Sequence, residues 1–215
     1  MNKKTIIIAA ITIAVIILVC VITFAITSSK ENASNSNKIA NINEKLASNV
    51  YTITRKIDGK TITIIRKDDN AYKEEKTDNT SIKYYVKDEE SYLLSGNNKT
   101  VYQYADSSDL LYEFTSELED LENMTFIEGT EKIDGKDYKF QEYSDYDSFL
   151  INLNLLEEAT QDAKTRLYFS GKNLKYIKTI IGDQEELIEV DISYKADENM
   201  LEWPSDYEIV QMELE

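Results

Sequence analysis

From Thr5 to Thr27 the chain carries no charge, no Gly and no Pro, and beyond that stretch the apolar residues fall into short, mostly alternating runs. The first pattern is that of a membrane helix. At about 1.5 Å per residue the segment would be about 34 Å long, enough to cross a hydrocarbon core of roughly 30 Å with modest tilt. Lys3 and Lys4 precede it and no acidic residue does, which places the N-terminus in the cytoplasm and everything after Ser28 outside. A cleaved signal peptide has a shorter apolar core, about 7–15 residues, followed by small residues at the cut. Thr23-Phe24-Ala25 matches that cut poorly, and Cys20, preceded by Val19 in the middle of the apolar run, does not suit lipoprotein acylation. A retained single-pass anchor in the cell membrane is the expectation, with Cys20 as an inert thiol within it.

The downstream pattern predicts strands and tight turns. The pentapeptide Lys-Ile-Asp-Gly-Lys occurs twice, at residues 56–60 and 132–136. Asp-Gly between β-formers signals a type I′ hairpin, because both central residues need φ > 0 and these two reach that region most cheaply. The flanks "VYTITRK" and "KTITIIRK", and then "MTFIEGTEK" and "KDYKFQEY", complete two hairpins. Between them Ile82, Tyr84 and Val86 share one face of a strand, "YLL" returns, and Val101 to Tyr104 runs again as an antiparallel meander. The turns that follow the two pentapeptides are spaced differently, so the repeat reads as recurring turn chemistry rather than a duplication.

Helical spacing appears three times. Residues 107–122 place Leu110, Leu111, Phe114, Leu118 and Leu121 on one face. "SDYDSFLINLNLLEEATQDAK" reads as a second helix, or helix and loop, with Phe149, Leu150, Leu153 and Leu156 as its apolar side. Ile39, Ile42 and Leu46 mark a short helix at the end of a polar stalk. Three more strands, "TRLYFSG", "KNLKYIKTIIG" and "ELIEVDISYKAD", precede the tail. The expected organisation is residues 1–4 in the cytoplasm, 5–27 as anchor, 28–48 as stalk and short helix, and 49–215 as one external domain.

Charge and composition narrow the function. All 40 acidic residues lie after Lys30, against the 24 basic ones less Lys3, Lys4 and Lys30. So acidic a domain repels phosphate backbones, which excludes nucleic acid as a partner, and it stands off from an anionic membrane surface. The alternative of an acidic patch recruiting a basic partner is weaker, because the charges are scattered. Cys20 is the only cysteine, so the domain has no internal disulfide and depends on packing.

Catalytic chemistry finds little to work with. The chain has no histidine, its thiol sits in the anchor, and its six glycines are spread singly over turns. That removes the commonest general base, thiol catalysis, Cys/His metal sites and phosphate-cradling loops. Adjacent carboxylates remain, Asp68 with Asp69, Glu119 with Asp120, Asp145 with Asp147 and Glu157 with Glu158, but so many acids make such pairs by chance. "KDDN" and "SDYDS" lack the EF-hand spacing for calcium. A non-enzyme without cofactor or metal is expected. Tyrosine does exceed background, 15 residues against six Phe and one Trp, concentrated in the predicted strands. It reads either as sheet faces half covered by helices or as the inner wall of a ligand-holding sheet.

The tail "ENMLEWPSDYEIVQ" holds the only proline, Pro204, between Trp203 and Ser205-Asp206-Tyr207. Together with "IKYYVKDEESYLLSGNNKTVYQY", "IDGKDYKFQEY" and "TRLYFSGKNLKYIKTI", it resembles the LolA-like superfamily of periplasmic lipoprotein carriers. More closely it is similar to the membrane-anchored external proteins of that type in Gram-positive bacteria. The resemblance spans roughly residues 40–210 and lies in strand and turn pattern. It implies an α+β fold: a strongly curved antiparallel sheet, a half-open barrel, with helices on its concave side and, in the carriers, a cavity for acyl chains. This chain departs from the carriers at Ala71-Tyr72-Lys73-Glu74, where they have an Arg-Pro pair, so their cavity arginine is not carried over.

Two functions follow as expectations. The first is a tethered domain binding lipid or lipoprotein acyl chains in envelope maintenance; the second is a sensor or protein-interaction ectodomain, its protein partner unknown. The expected ligand lining is Ile82, Tyr84, Val86, Tyr102, Tyr104, Phe114, Leu118 and Tyr168. An empty apolar concavity favours the first function, and a filled core with an exposed apolar patch favours the second.

Overall fold

The computed structural model describes residues 37–88, 90–95, 99–104, 109–144 and 163–211. The expected anchor at 5–27 and the helix expected after Ser144 lie outside the described residues. Among the described residues no helix is long and apolar enough to cross a membrane.

Two meanders build one sheet. The first runs β1 (Val50–Ile57), β2 (Lys60–Lys67), β3 (Asn70–Lys76), β4 (Ser81–Lys87), β5 (Glu90–Ser95) and β6 (Thr100–Tyr104), each strand antiparallel to the next. The second runs β7 (Ile127–Ile133), β8 (Lys136–Ser144), β9 (Lys164–Ser170), β10 (Asn173–Ile181) and β11 (Gln184–Ser193). A seam joins them where β1 pairs antiparallel with β11, Thr52 opposite Ser193 and Lys56 opposite Glu189. After β11 a 3-10 turn (Glu198–Leu201) leads to β12 (Glu208–Gln211), which pairs parallel with β6. The strand order is β12-β6-β5-β4-β3-β2-β1-β11-β10-β9-β8-β7, a 12-stranded sheet with β12 and β7 as its outermost described strands. β12 and β7 do not pair with each other, so the sheet is not closed, which fits a curved sheet with helices.

The two pentapeptide turns have the backbone that their sequence demands. Asp58 and Gly59 sit at φ 41° and 76°, and Asp134 and Gly135 at φ 51° and 77°. Positive φ at both central residues is the type I′ signature.

Two helices cover one face. Helix α1 (Asn37–Leu46) buries Ile39, Ile42 and Leu46, the residues its spacing selects, and α2 (Asp109–Glu122) buries Phe114, Leu118 and Leu121. Both pack into one core with Tyr51, Ile53, Ile62, Ile64, Leu167, Ile177, Ile188 and Val190. Each such side chain, once fully enclosed, contributes about 1.5–3 kcal/mol. The helices also touch each other, as Asn43 Nδ2 donates to Leu118 O at 3.2 Å and Glu122 Oε2 at 2.9 Å. The opposite face carries a smaller core. There Ile65, Tyr72, Tyr85, Leu94 and Val101 meet Met200, Leu201 and Trp203 of the segment after β11.

Candidate functional site

Partners in an antiparallel ladder share a face of the sheet, so the register assigns each expected lining residue to a side. Ile53 pairs with Ile64, Ile64 with Lys73, Lys73 with Tyr84, Tyr84 with Leu93, and Leu93 with Tyr102. Tyr102 in turn aligns with Val210 of the parallel strand β12. One row thus runs from the helix-covered core to the β12 edge. At the core end Ile53 is inaccessible, while at the other end Tyr84, Leu93 and Tyr102 are half-buried and Val210 is 37% exposed. Ile82, on the same face one step along β4, is 42% exposed. The helix-bearing face is therefore packed over its central strands and open over β4, β5, β6 and β12.

The structure brings Ile82, Tyr84, Val86 and Tyr102 together on this face and separates the others from them. Tyr104 shares their parity, since it pairs with Ser91 opposite Val86; its side chain lies outside the described residues. Val86 is half-buried and packs at the border of the main core. Phe114 and Leu118 have no accessible surface at all, so they are packed core and not the wall of a vacant cavity. Tyr168 is on the opposite face, paired with Phe140 and Tyr176. Three successive residues of β9, Leu167, Tyr168 and Phe169, are buried, so the strand is enclosed on both faces and its sequence lacks the alternation that would reveal parity.

On that opposite face Tyr168 belongs to an ionic cluster. Its Oη donates to Glu131 Oε2 at 2.7 Å, where Arg166 Nη1 also donates at 2.8 Å, while Lys178 Nζ donates to Glu131 Oε1 at 2.6 Å. Arg166 Nε holds Glu142 at 2.6 Å as well. Partial burial pushes the Glu131 carboxyl up, but the hydrogen bonds from Lys178, Tyr168 and Arg166 outweigh it and hold the group below the ordinary carboxylate range. Burial first, then the Glu131 hydrogen bond, pushes the Tyr168 phenol up. Phe140 lies over Gly129, its cross-strand partner, where any Cβ would collide with the ring. This is a braced edge rather than a ligand wall.

Sequence reasoning missed the charges under the helices. Arg55, Arg66 and Lys73 are buried on the helix-bearing face, with Glu117 of α2 and Glu186 of β11. The Arg55 guanidinium lies 5.1 Å from the Phe114 ring centre. Lys73 Nζ meets Glu75 at 3.0 Å and stands 5.8 Å from the ring of Tyr84, its partner in the open row. Lys60 reaches the same Glu75 at 2.8 Å. Burial raises the Glu75 carboxyl, but the two lysines prevail and lower it. A signal for Arg55 was present: Tyr51, Ile53 and Ile57 share its parity along β1, and all are buried.

Grooves also lie elsewhere. An open polar groove of about 540 Å³ is lined by Lys56 to Thr61 of the first pentapeptide turn, by Asp134 of the second, and by Tyr176, Leu187 and Glu189. Three strands separate β1 from β8, which a flat sheet would hold about 19 Å apart, so the two turns share a groove because the sheet curls between them. Another, about 260 Å³, sits where the β2–β3 turn and the end of β4 meet the segment 198–203. Among the described residues no group of three or more acidic, Cys or His side chains is placed to hold a metal ion.

No protein-family model and no curated protein matches the sequence. Among solved structures, Mycobacterium tuberculosis lipoprotein LppX aligns with 76% of this chain and 97% of its own at 15% identity and a TM-score of 0.42. An uncharacterized conserved protein from Thermus thermophilus aligns with 82% of this chain and 98% of its own at 8% identity and a TM-score of 0.44. Neither likeness is close enough to assign a family or a function.

Proposed function

We propose that the chain is a non-enzymatic, membrane-tethered domain on the outer side of the cell membrane that holds an acyl chain of a lipid or lipoprotein. The observation that carries this reading is the row Tyr84–Leu93–Tyr102–Val210 with Ile82 beside it, an apolar and aromatic strip left open where the helix-covered core stops. A flexible hydrocarbon chain fits a shallow strip of this kind, since it needs contact area and no matched polar groups. The uncharged stretch Thr5–Thr27 supports placing that strip within reach of membrane lipid. The sparse catalytic inventory, with no histidine, supports a binding role.

The test is native mass spectrometry of the full chain released from detergent, alongside binding of a fluorescent fatty-acyl probe. A retained lipid, and probe binding that Ile82→Asp and Tyr102→Asp abolish while the fold persists, are the expected results. A second reading rests on Ile209, 53% exposed on the edge strand β12 next to Val210. If neither lipid nor probe binds, and Ile209→Asp, on the other face of the sheet from Ile82 and Tyr102, removes capture of a protein from envelope extracts, the domain is an interaction module.

A further inference from the structure

The 260 Å³ pocket beside Trp203 touches Val86 but none of the strip residues Ile82, Tyr84, Leu93, Tyr102 and Val210, and has a different character. Its aromatic wall is Trp203 and Tyr85, whose ring centres are 5.7 Å apart with planes 73° apart, so the two rings form a corner. Tyr92 buttresses Trp203 from another side at 4.8 Å. The pocket also carries both signs of charge. Lys67 and Lys87 line it from the sheet, and Glu198 and Glu202 line it from the segment after β11. Lys67 and Glu198 pair at 2.7 Å. Among the described residues Lys87 and Glu202 have no oppositely charged side chain within salt-bridge distance, which leaves one cation and one anion available at the same opening. The Lys87 ammonium stands 5.4 Å from the Trp203 ring centre, so this ring already receives a cation.

We infer that the pocket binds a small zwitterion, an ammonium group and a phosphate or carboxylate joined by a short link. The ammonium sits in the corner of Trp203 and Tyr85, attracted by the ring faces and by Glu202. The anionic end takes Lys87, which turns from the ring to meet it, with Lys67 beside it. Charge balance argues against a simple anion. The chain carries a net charge of −16, so a ligand that brings its own positive group avoids the repulsion that a free phosphate meets. The volume suits a headgroup-sized molecule, just under the range of about 300–1,000 Å³ typical of drug-sized ligand sites.

Trp203 is the only tryptophan in the chain, so its emission reports occupancy directly. With the full chain in a maltoside detergent, phosphocholine should shift and saturate that emission, with choline alone and inorganic phosphate each binding at least ~10-fold more weakly. Lys87→Gln and Glu202→Gln should each weaken phosphocholine by about 10-fold or more, with circular dichroism unchanged. Reconstitution into vesicles separates the two sources of this chemistry. A shifted emission in phosphatidylcholine vesicles but not in phosphatidylglycerol vesicles identifies a lipid headgroup; a shift only on adding free phosphocholine to the latter identifies a soluble zwitterion. No emission change with phosphocholine, or equal binding by choline and by both variants, overturns the inference. Fatty-acyl probe binding at Ile82 and Tyr102 is read separately, so either reading can fail without the other.

Discussion

The helix-bearing face holds two regions of one continuous sheet, yet one is sealed and the other open. Over β11, β1 and β2 the inward residues Val190, Ile53 and Ile64 lie beneath Phe114, Leu118 and Ile42 and have almost no accessible surface. Over β4 to β6 the inward residues Ile82, Tyr84 and Tyr102 are also largely hydrocarbon, the tyrosines with a polar tip, but they keep contact with solvent. The cover differs, and the open strands carry tyrosine where the sealed ones carry Val and Ile. Apolar side chains in a strand say that something is to lie on them; they do not say whether that partner belongs to the same molecule.

Substitutions can break this contrast. Phe114→Ala, in the sealed region, should cost about 3–5 kcal/mol in chemical denaturation, because it leaves a cavity beneath α2. A loss below about 1 kcal/mol would mean that the sealed region is as loosely filled as the open one. Gly59→Val and Gly135→Val serve as controls remote from the open strip. Each should cost about 1–3 kcal/mol through strain at positive φ and leave probe binding by folded molecules intact. Near-neutral values at both would contradict the primed turns. Val86→Trp falls on the border between the regions. It should cost no more than about 1–2 kcal/mol, because the open side accepts added volume, and it should weaken the acyl probe. Outright unfolding would extend the sealed region through β4.

Ile82→Asp should change stability by only about 0.5 kcal/mol while removing probe binding, which would sharpen the contrast most. Acid provides the smallest effect, and it acts on the opposite face. Because Glu131 has a depressed pKa, its contribution is complete above the ordinary carboxylate value and fades as pH falls through the lower native value. Stability measured from pH 6 down to about pH 2 should therefore fall in wild type, and less steeply in Glu131→Gln. Equal slopes would show that the cluster around Glu131 is not maintained in solution.

Much of the fold was legible because the chain states its turns plainly. Asp58-Gly59 and Asp134-Gly135 set two hairpins, and the spacing of Ile39, Ile42 and Leu46 gave α1. Helix α2 was expected from Ser107 and is described from Asp109. The site was less legible, for separate physical reasons. Ile82, Tyr84, Val86 and Tyr102 do share one face of the sheet, because β4 and β6 have simple parity. Tyr168 was misplaced because β9 is buried on both faces, and a register irregularity between Leu174 and Tyr176 shifts parity in the neighbouring strand. Arg55, Arg66 and Lys73 were overlooked because a charge on a strand ordinarily faces water. β12 escaped because four residues pairing in parallel with a strand about a hundred positions earlier leave no local trace.

The seam between β1 and β11 bears on how the molecule comes to exist. Thr52 meets Ser193, so the centre of the sheet is assembled from strands far apart in sequence, while each meander needs only near neighbours. During synthesis the first meander can zip from Val50 to Tyr104 long before its central partner is made, and β1 waits as a bare edge until β11 arrives. Contacts so distant in sequence make the last step of folding slow, and an unpaired edge invites pairing with another chain in the interval. The arrival of the final strands is thus the point at which the centre of the sheet is closed to other chains.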